Sequence, residues 1–299
     1  MGLFRRRWLV GATLVVVLAA VGVELRYYRR ALSLCHPTRV PITDADRAAV
    51  RARLPESEEV SFTTDDGVVL RAFYMPSHNG RVLIMGHGLG ENRMRWLPDA
   101  EMLARHGYGA LFFDWRAHGD SGGDTATWGD REQRDFRAAV DFASRRPDVV
   151  PGGIAGLGFS VGSTGVLLEA VGDPRVRAVI LEAIWTSLVD ELRNKFFRLG
   201  PVSAWAAIRA FEHAGVQPDN VRALDHVAEL RRPLLIINGT LDTDTPVAVS
   251  RRVFDAAAQP KELWIVEGSE HGMYAQVAPV EYERRILRFL DDAFAAQRP

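Results

Sequence analysis

Gly158-Phe159-Ser160-Val161-Gly162 sets a serine between two glycines, directly after the short apolar run Ile154 to Leu157 and before a helix-like stretch. A G-x-S-x-G pentapeptide between a strand and a helix is the pattern of a nucleophile elbow. The chemistry accounts for the spacing. A serine lifted on a tight turn needs small neighbours, because a Cβ at the flanking positions crowds the backbone. The helix that follows aims its first N–H groups at whatever charge develops beside the serine. A serine hydroxyl is a poor nucleophile at its own pKa and needs an adjacent base. Glycine-rich strand–helix turns also occur without catalysis, so the pentapeptide acquires meaning only with partners.

Three further segments supply them: Gly86-His87-Gly88-Leu89-Gly90, Asn238-Gly239-Thr240-Leu241-Asp242 and Glu270-His271-Gly272. The chain order Ser, Asp, His differs from the orders of chymotrypsin and subtilisin and is that of α/β-hydrolases. On these four segments the chain resembles the α/β-hydrolase superfamily. Within it, the chain is most similar to membrane-anchored serine esterases, themselves similar to the hydrolase domain of prolyl-oligopeptidase-type peptidases. The resemblance extends over residues 58 to 295. It implies a set of roles: Ser160 as nucleophile, His271 as general base and then acid, and Asp242 as the carboxylate that holds the imidazole tautomer. It also implies an oxyanion hole from Val161 N–H, directly after the nucleophile, and Leu89 N–H, the residue after His-Gly in the loop following the third strand. Losing one such donor costs roughly 3 kcal/mol, so that loop should be rigid.

Each role has a competitor. Asp244 lies two residues beyond Asp242, and Glu182 ends the sixth expected strand, a position some family members use for the acid; the family pattern Gly-x-x-Asp favours Asp242. His87 reads as an anchor of the oxyanion loop. The segment Asp114 to Gly122 resembles the family's Asp-x-Arg-Gly-His-Gly-x-Ser loop, with Ala117 in place of the usual glycine, and reads as structural, with Ser121 no nucleophile. A metal site from His87, His118 and Asp114 lacks ligand spacing of the H-E-x-x-H kind, and neither metal nor cofactor is expected.

The elements that must position these residues follow an α/β rhythm. Val60 to Thr63 and Val68 to Tyr74 flank the hairpin turn Asp65-Asp66-Gly67. Strands are expected over Val82 to Met85, Ala110 to Asp114, Ile154 to Leu157, Val176 to Leu181, Leu234 to Ile237 and Leu263 to Val266. Helices are expected over Trp96 to His106, Arg131 to Arg145, Pro246 to Ala258 and Pro279 to Phe294. Strands separated by such helices imply a mostly parallel sheet covered on both faces, with sites beyond the carboxyl ends of its strands. The serine, the aspartate and the histidine all fall there. Residues 183 to 227 interrupt the rhythm, and in the family such an insertion caps the serine. Its aromatics Trp185, Phe196, Phe197, Trp205 and Phe211 read mainly as packing of the cap, one or two of them as lining for an acyl pocket.

Composition agrees with one globular domain. A chain of 299 residues with 47% hydrophobic content can bury a large core. A net charge of −1 supplies no field for nucleic acid or other polyanions. The lone cysteine, Cys35, rules out an intramolecular disulfide. The N-terminus reads separately. Arg5-Arg6-Arg7 precede an uncharged run from Trp8 to Val23, closed by Glu24 and the arginine-rich Arg26 to Arg30. That run has about the minimum length of a spanning helix, and Trp8, Tyr27 and Tyr28 suit the two interfaces. Residues 1–30 are expected as a single-pass anchor, with a cleaved signal segment ending near Val17-Leu18-Ala19 as the alternative and a secreted or periplasmic product as its consequence. Arginines on both sides leave the orientation open. Residues 31–57 are expected as a connector, and 58–299 as the hydrolase domain.

The resulting expectation is a serine hydrolase that cleaves carboxylic esters, a lipid acyl ester among them, through an acyl-enzyme. The alternatives are a peptidase of prolyl-oligopeptidase type, though the chain leaves no room for the propeller those enzymes usually carry, and a catalytically silent, membrane-tethered binding module. Haloalkane dehalogenase chemistry is disfavoured by serine at the nucleophile position.

Overall fold

The computed structural model describes residues 2–197 and 200–295. Eight strands form one sheet in the order β1-β2-β4-β3-β5-β6-β7-β8. They are β1 (Glu58–Thr63), β2 (Val69–Met75), β3 (Val82–Gly86), β4 (Gly109–Phe113), β5 (Ile154–Phe159), β6 (Val176–Glu182), β7 (Leu234–Gly239) and β8 (Lys261–Val266). The hairpin β1–β2 pairs antiparallel, β2 joins β4 antiparallel, and every other pairing is parallel. β3, β4, β5 and β7 are buried at every position. Continuous apolar runs follow from this, since a parallel strand with helices on both faces has no wet side.

Eleven helices accompany the sheet among the described residues: α1 (Gly2–Cys35), α2 (Asp44–Arg53), α3 (Leu97–Arg105), α4 (Glu132–Ser144), α5 (Val161–Gly172), α6 (Leu188–Phe196), α7 (Pro201–His213), α8 (Ala223–His226), α9 (Val247–Ala256), α10 (Tyr274–Val277) and α11 (Pro279–Ala295). One face of the sheet packs Trp96, Leu103 and the α11 residues Tyr282, Ile286 and Leu290 against Leu83, Met85, Leu157 and Ile237. The opposite face packs Phe136 and Val140 of α4 and Val166 of α5 against Ile84, Leu111 and Val179. The chain moves outward from β3 to β4 and then returns across β3 to β5. The strand order therefore reverses between β3 and β5, the position at which open parallel sheets leave a crevice.

The cap occupies the stretch between β6 and β7. Trp185, Phe196 and Phe211 are buried in a third cluster that also takes in Val161, whereas Phe197 and Trp205 are 55% and 60% exposed. The last turns of α1 join the same cluster through Ala31 and Cys35, both fully buried. Tyr28 Oη meets His213 Nδ1 at 3.0 Å, and Tyr27 stacks edge-on to Phe196 at 6.2 Å between centroids. Burial pushes the Cys35 thiol up to about 12, which leaves it inert.

The chain before β1 is largely helical. Residues 31–57, expected as a connector, carry the end of α1 and the whole of α2. Thr43 caps α2 through a capping box with Asp46, its Oγ accepting from the Asp46 amide at 3.1 Å. Among the described residues no helix is long and apolar enough to cross a membrane. The expected spanning run depends in part on Leu9, Val10, Ala12 and Val16, whose side chains lie outside the described residues.

Candidate active site

The site forms at the carboxyl ends of β5, β7 and β8, where the reversal of strand order opens the sheet. Ser160 occupies the turn between β5 and α5 at φ 53°, ψ −119°. A side chain at positive φ costs on the order of 1–3 kcal/mol and persists only where its surroundings hold it. Here they do. Ser160 N–H donates to Glu182 O at 2.8 Å, and Ser163 Oγ lies 2.7 Å from that carbonyl and 2.6 Å from Gly158 O. The flanking glycines are required by contact rather than by flexibility. A Cβ on Gly158 would lie 2.5 Å from Gly162 O, and one on Gly162 would lie 2.6 Å from both Gly86 O and His87 O.

His271 reaches the serine from the loop after β8. Its Nε2 stands 3.1 Å from Ser160 Oγ and its Nδ1 2.8 Å from Asp242 Oδ2. A carboxylate only accepts, so the bond to Asp242 puts the ring proton on Nδ1 and leaves Nε2 free to take the serine proton. Asp242 follows β7 with its side chain fully buried. Its second oxygen accepts from the backbone amides of Asp244 (3.0 Å) and Thr245 (2.7 Å), which fixes the carboxylate plane. The competing acids lie elsewhere. Asp244 is 60% exposed and pairs with Lys195 of the cap at 3.2 Å. Glu182 is buried behind the serine, where its carboxyl accepts from Tyr282 Oη at 2.8 Å, and burial pushes it up to about 8.

Val161 opens α5, so its N–H has no intrahelical acceptor. Leu89, in the loop after β3, has an amide with no hydrogen-bond partner among the described residues. The backbone of Gly86 and His87, just before Leu89, packs on Gly162 at the head of the helix. His87 ties the loop down. Its Nε2 accepts from Trp115 N–H at 3.3 Å, its Nδ1 meets Gly88 O at 2.7 Å, and Trp115 Nε1 donates to His87 O at 2.9 Å. One nitrogen accepting and the other donating is the pattern of a neutral ring, and burial holds the His87 pKa well below the usual range.

The 114–122 loop braces this arrangement from outside. Asp114 accepts from the amides of Arg93 (2.7 Å) and Asp120 (2.9 Å) and pairs with the buried Arg93 guanidinium. Ser121 Oγ donates to Asp114 O at 2.7 Å and accepts from Arg71 N–H, so both functions of the hydroxyl are engaged. Ala117 adopts φ 60°, a conformation that explains the usual glycine at this position. His118 and His87 lie 5.1 Å apart, and among the described residues no three His, Cys, Asp or Glu side chains gather as a metal site. Sequence reasoning missed Arg95, Glu91 and Phe159, which surround His271 and the serine strand. No spacing in the sequence points to Arg95 or Glu91.

Comparison with known proteins gives the same architecture. A family model described as X-Pro dipeptidyl-peptidase (S15 family) matches residues 42–221, more than half of the chain. The uncharacterized protein Rv2307c of Mycobacterium tuberculosis is 30% identical over 266 residues, 86% of either chain. The esterase Pf2001 of Pyrococcus furiosus superposes with a TM-score of 0.69 at 25% identity, covering 86% of this chain and 97% of that one. The α/β-hydrolase GrgF from a Penicillium species superposes at 0.67 with 24% identity, over 80% of this chain and 99% of its own, a likeness of fold. This chain is a hydrolase with the α/β-hydrolase fold and belongs to the X-Pro dipeptidyl-peptidase (S15) family.

Proposed function

We propose that the protein is a serine hydrolase that cleaves carboxylic esters through an acyl-enzyme on Ser160. The observation that carries this reading is His271 bridging Ser160 Oγ and the buried Asp242 carboxylate at 3.1 and 2.8 Å. Ser160 Oγ attacks the acyl carbon as its proton passes to His271 Nε2, and the carbonyl π electrons move onto oxygen. That oxyanion meets the Val161 and Leu89 amides at the positive end of α5. His271 then returns the proton to the leaving alkoxide as the C–O bond breaks. Water repeats the sequence on the acyl-serine: His271 takes its proton, hydroxyl adds to the acyl carbon, and Ser160 leaves reprotonated with the acid released. Asp242 stabilises the imidazolium throughout without taking the proton.

Likeness to the Pyrococcus esterase supports an ester as substrate, whereas the family match favours a second reading, cleavage of a peptide bond after proline. Labelling with a fluorophosphonate probe tests the chemistry, and a comparison of p-nitrophenyl esters with an X-Pro p-nitroanilide tests the bond. The expected result is labelling and ester turnover that both vanish in Ser160→Ala. A folded wild type that neither labels nor turns over any of these substrates overturns the hydrolase reading and leaves a binding module. Release of p-nitroaniline in preference to p-nitrophenol transfers the assignment to peptidase. We further propose that residues 1–30 tether the domain to a membrane, a reading supported by the uncharged run between two arginine clusters.

A further inference from the structure

Three residues that flank the site are joined by one ion pair, Arg95 with Glu91. Phe159 immediately precedes Ser160, Gly272 immediately follows His271, and Gly88 immediately precedes Leu89. The Arg95 guanidinium lies over the Phe159 ring, 3.8 Å from its centroid, and Nη2 donates to Gly272 O at 3.0 Å. Its Nη1 donates to Glu91 Oε1 at 2.8 Å, while the other oxygen of Glu91 accepts from Gly88 N–H at 3.0 Å. Phe159 in turn packs against the His271 imidazole, the rings tilted by 48° with centroids 4.8 Å apart.

We propose that Arg95, acting with Glu91, is a positioning residue that clamps the oxyanion loop and the histidine loop against Phe159 and so sets the geometry of the Ser160 reaction. This inference rests on the hydrolase reading above. The fit is tight on both sides of the ring. A Cβ on Gly272 would lie 2.5 Å from Phe159 Cζ and 2.8 Å from Arg95 Nη2, and one on Gly88 would lie 2.8 Å from Phe159 Cε1. The planar fork of arginine suits the task, since it can stack on an aromatic face while its edge donates in two fixed directions. A lysine ammonium offers one point charge and no such edge.

Arg95 is itself held from behind. It belongs to the 3-10 turn Arg93–Trp96, whose Asn92 cap accepts from Met94 N–H at 2.9 Å. Arg93, two residues earlier, is buried against Asp114 on the opposite side of the turn. The guanidinium touches no reacting atom, so its effect must pass through the placement of Leu89 N–H and the His271 ring. Displacement of such groups by about 1 Å costs on the order of 100-fold in rate.

The test uses full-length Arg95→Met, Arg95→Lys, Glu91→Ala, Glu91→Gln and the Arg95→Met/Glu91→Ala double variant. Each is assayed for steady-state hydrolysis of p-nitrophenyl acetate, for the single-turnover rate of fluorophosphonate labelling, and for thermal midpoint. Arg95→Met and Glu91→Ala are each expected to lower kcat and the labelling rate by about 10- to 100-fold with KM changed less than about threefold. The double variant should be no slower than the slower single one, because both substitutions open the same clamp. Glu91→Gln and Arg95→Lys should each recover only part of the loss, since a glutamine amide oxygen can accept from Gly88 or from Arg95 but not from both, and an ammonium lacks the fork. Glu91 is about one-third exposed, so Glu91→Ala is expected to keep its thermal midpoint and to read positioning rather than unfolding. Rates within about threefold of wild type in both single variants, or losses that multiply in the double variant as for independent sites, would overturn the proposal. A wild type inert to both reagents refutes the hydrolase reading itself, which is a different outcome from an active wild type with indifferent variants.

Discussion

Glu182 ends β6 with its backbone carbonyl on the Ser160 amide and its carboxyl turned into the protein. Tyr282 Oη of α11 lies 2.8 Å from Glu182 Oε1 and 2.9 Å from Asp99 Oδ1 of α3. A phenol carries one proton, so it donates to only one of the two carboxyls, and the other contact is favourable only if that carboxyl is itself protonated. The other groups facing Glu182 are Arg95, with Nη2 3.9 Å away, and, farther off, Glu91 and the Tyr274 hydroxyl of α10. Burial, aided by the neighbouring Asp99, pushes Glu182 from 4.5 up to about 8, with Arg95 opposing. The native protein therefore holds a proton that the unfolded chain releases above pH 4.5. Stability from this group is fully present below that pH and is lost as pH rises toward about 8.

At about 1.4 kcal/mol per pH unit, the loss across that window is at most roughly 5 kcal/mol. Glu182→Gln keeps the shape and offers Tyr282 Oη either an amide oxygen or an N–H, but cannot ionise. In urea unfolding at pH 5, 7 and 9, wild type and variant should lie within about 1 kcal/mol of each other at pH 5. At pH 9 the variant should be the more stable by several kcal/mol, which is about 1 M or more in midpoint. Titrating groups that do not touch Glu182 cancel in the difference between the two proteins; Asp99, which burial pushes up to about 6 and which shares Tyr282 Oη, adds to it. Parallel pH profiles from 5 to 9 would refute the reasoning and mean that Glu182 is ionised in the native state, with Arg95 as its counter-ion.

Three further outcomes are expected. Asp242→Asn should lower kcat by about 10³- to 10⁴-fold, by favouring the wrong imidazole tautomer, while leaving the circular-dichroism spectrum unchanged. Gly162→Ala places a Cβ 2.6 Å from two carbonyl oxygens of the oxyanion loop. It should abolish fluorophosphonate labelling and cost about 1–3 kcal/mol in denaturant unfolding, and normal labelling would contradict the close packing. If residues 1–30 tether the chain, the full-length protein should stay with the membrane fraction through an alkaline carbonate wash, and recovery in the soluble fraction removes that reading.

The inner strands were legible as sequence because a sheet covered on both faces demands apolar runs, as in Ile154 to Leu157 or Leu234 to Ile237, and the outer hairpin β1–β2 from its Asp65-Asp66-Gly67 turn. Ser160 and the glycines around it were equally legible. Backbone crowding at 2.5–2.6 Å leaves no alternative residue at 158 or 162, and contact limits of that kind are written into residue type. The chain before β1 was less legible. α2 is short and mostly polar, with Val50 its one fully buried residue, so its apolar periodicity is too weak to announce a helix.

The resemblance favoured Asp242 as the acid facing His271, and the tertiary structure supplies the physical reason. Asp242, Asp244 and Glu182 are all carboxylates near strand ends, and the turn points Asp242 inward and Asp244 toward Lys195. Tertiary structure alone decided which cap aromatics pack, sending Phe211 inward and Trp205 to solvent. The Arg95–Glu91–Phe159 arrangement also had no trace in the sequence, since Arg95 and Gly272 meet across 177 positions of chain. Residue type and short spacing carry local sterics and periodicity. Which distant groups share a hydrogen bond is set by how the strand order folds the chain back on itself, and only the assembled sheet holds that information.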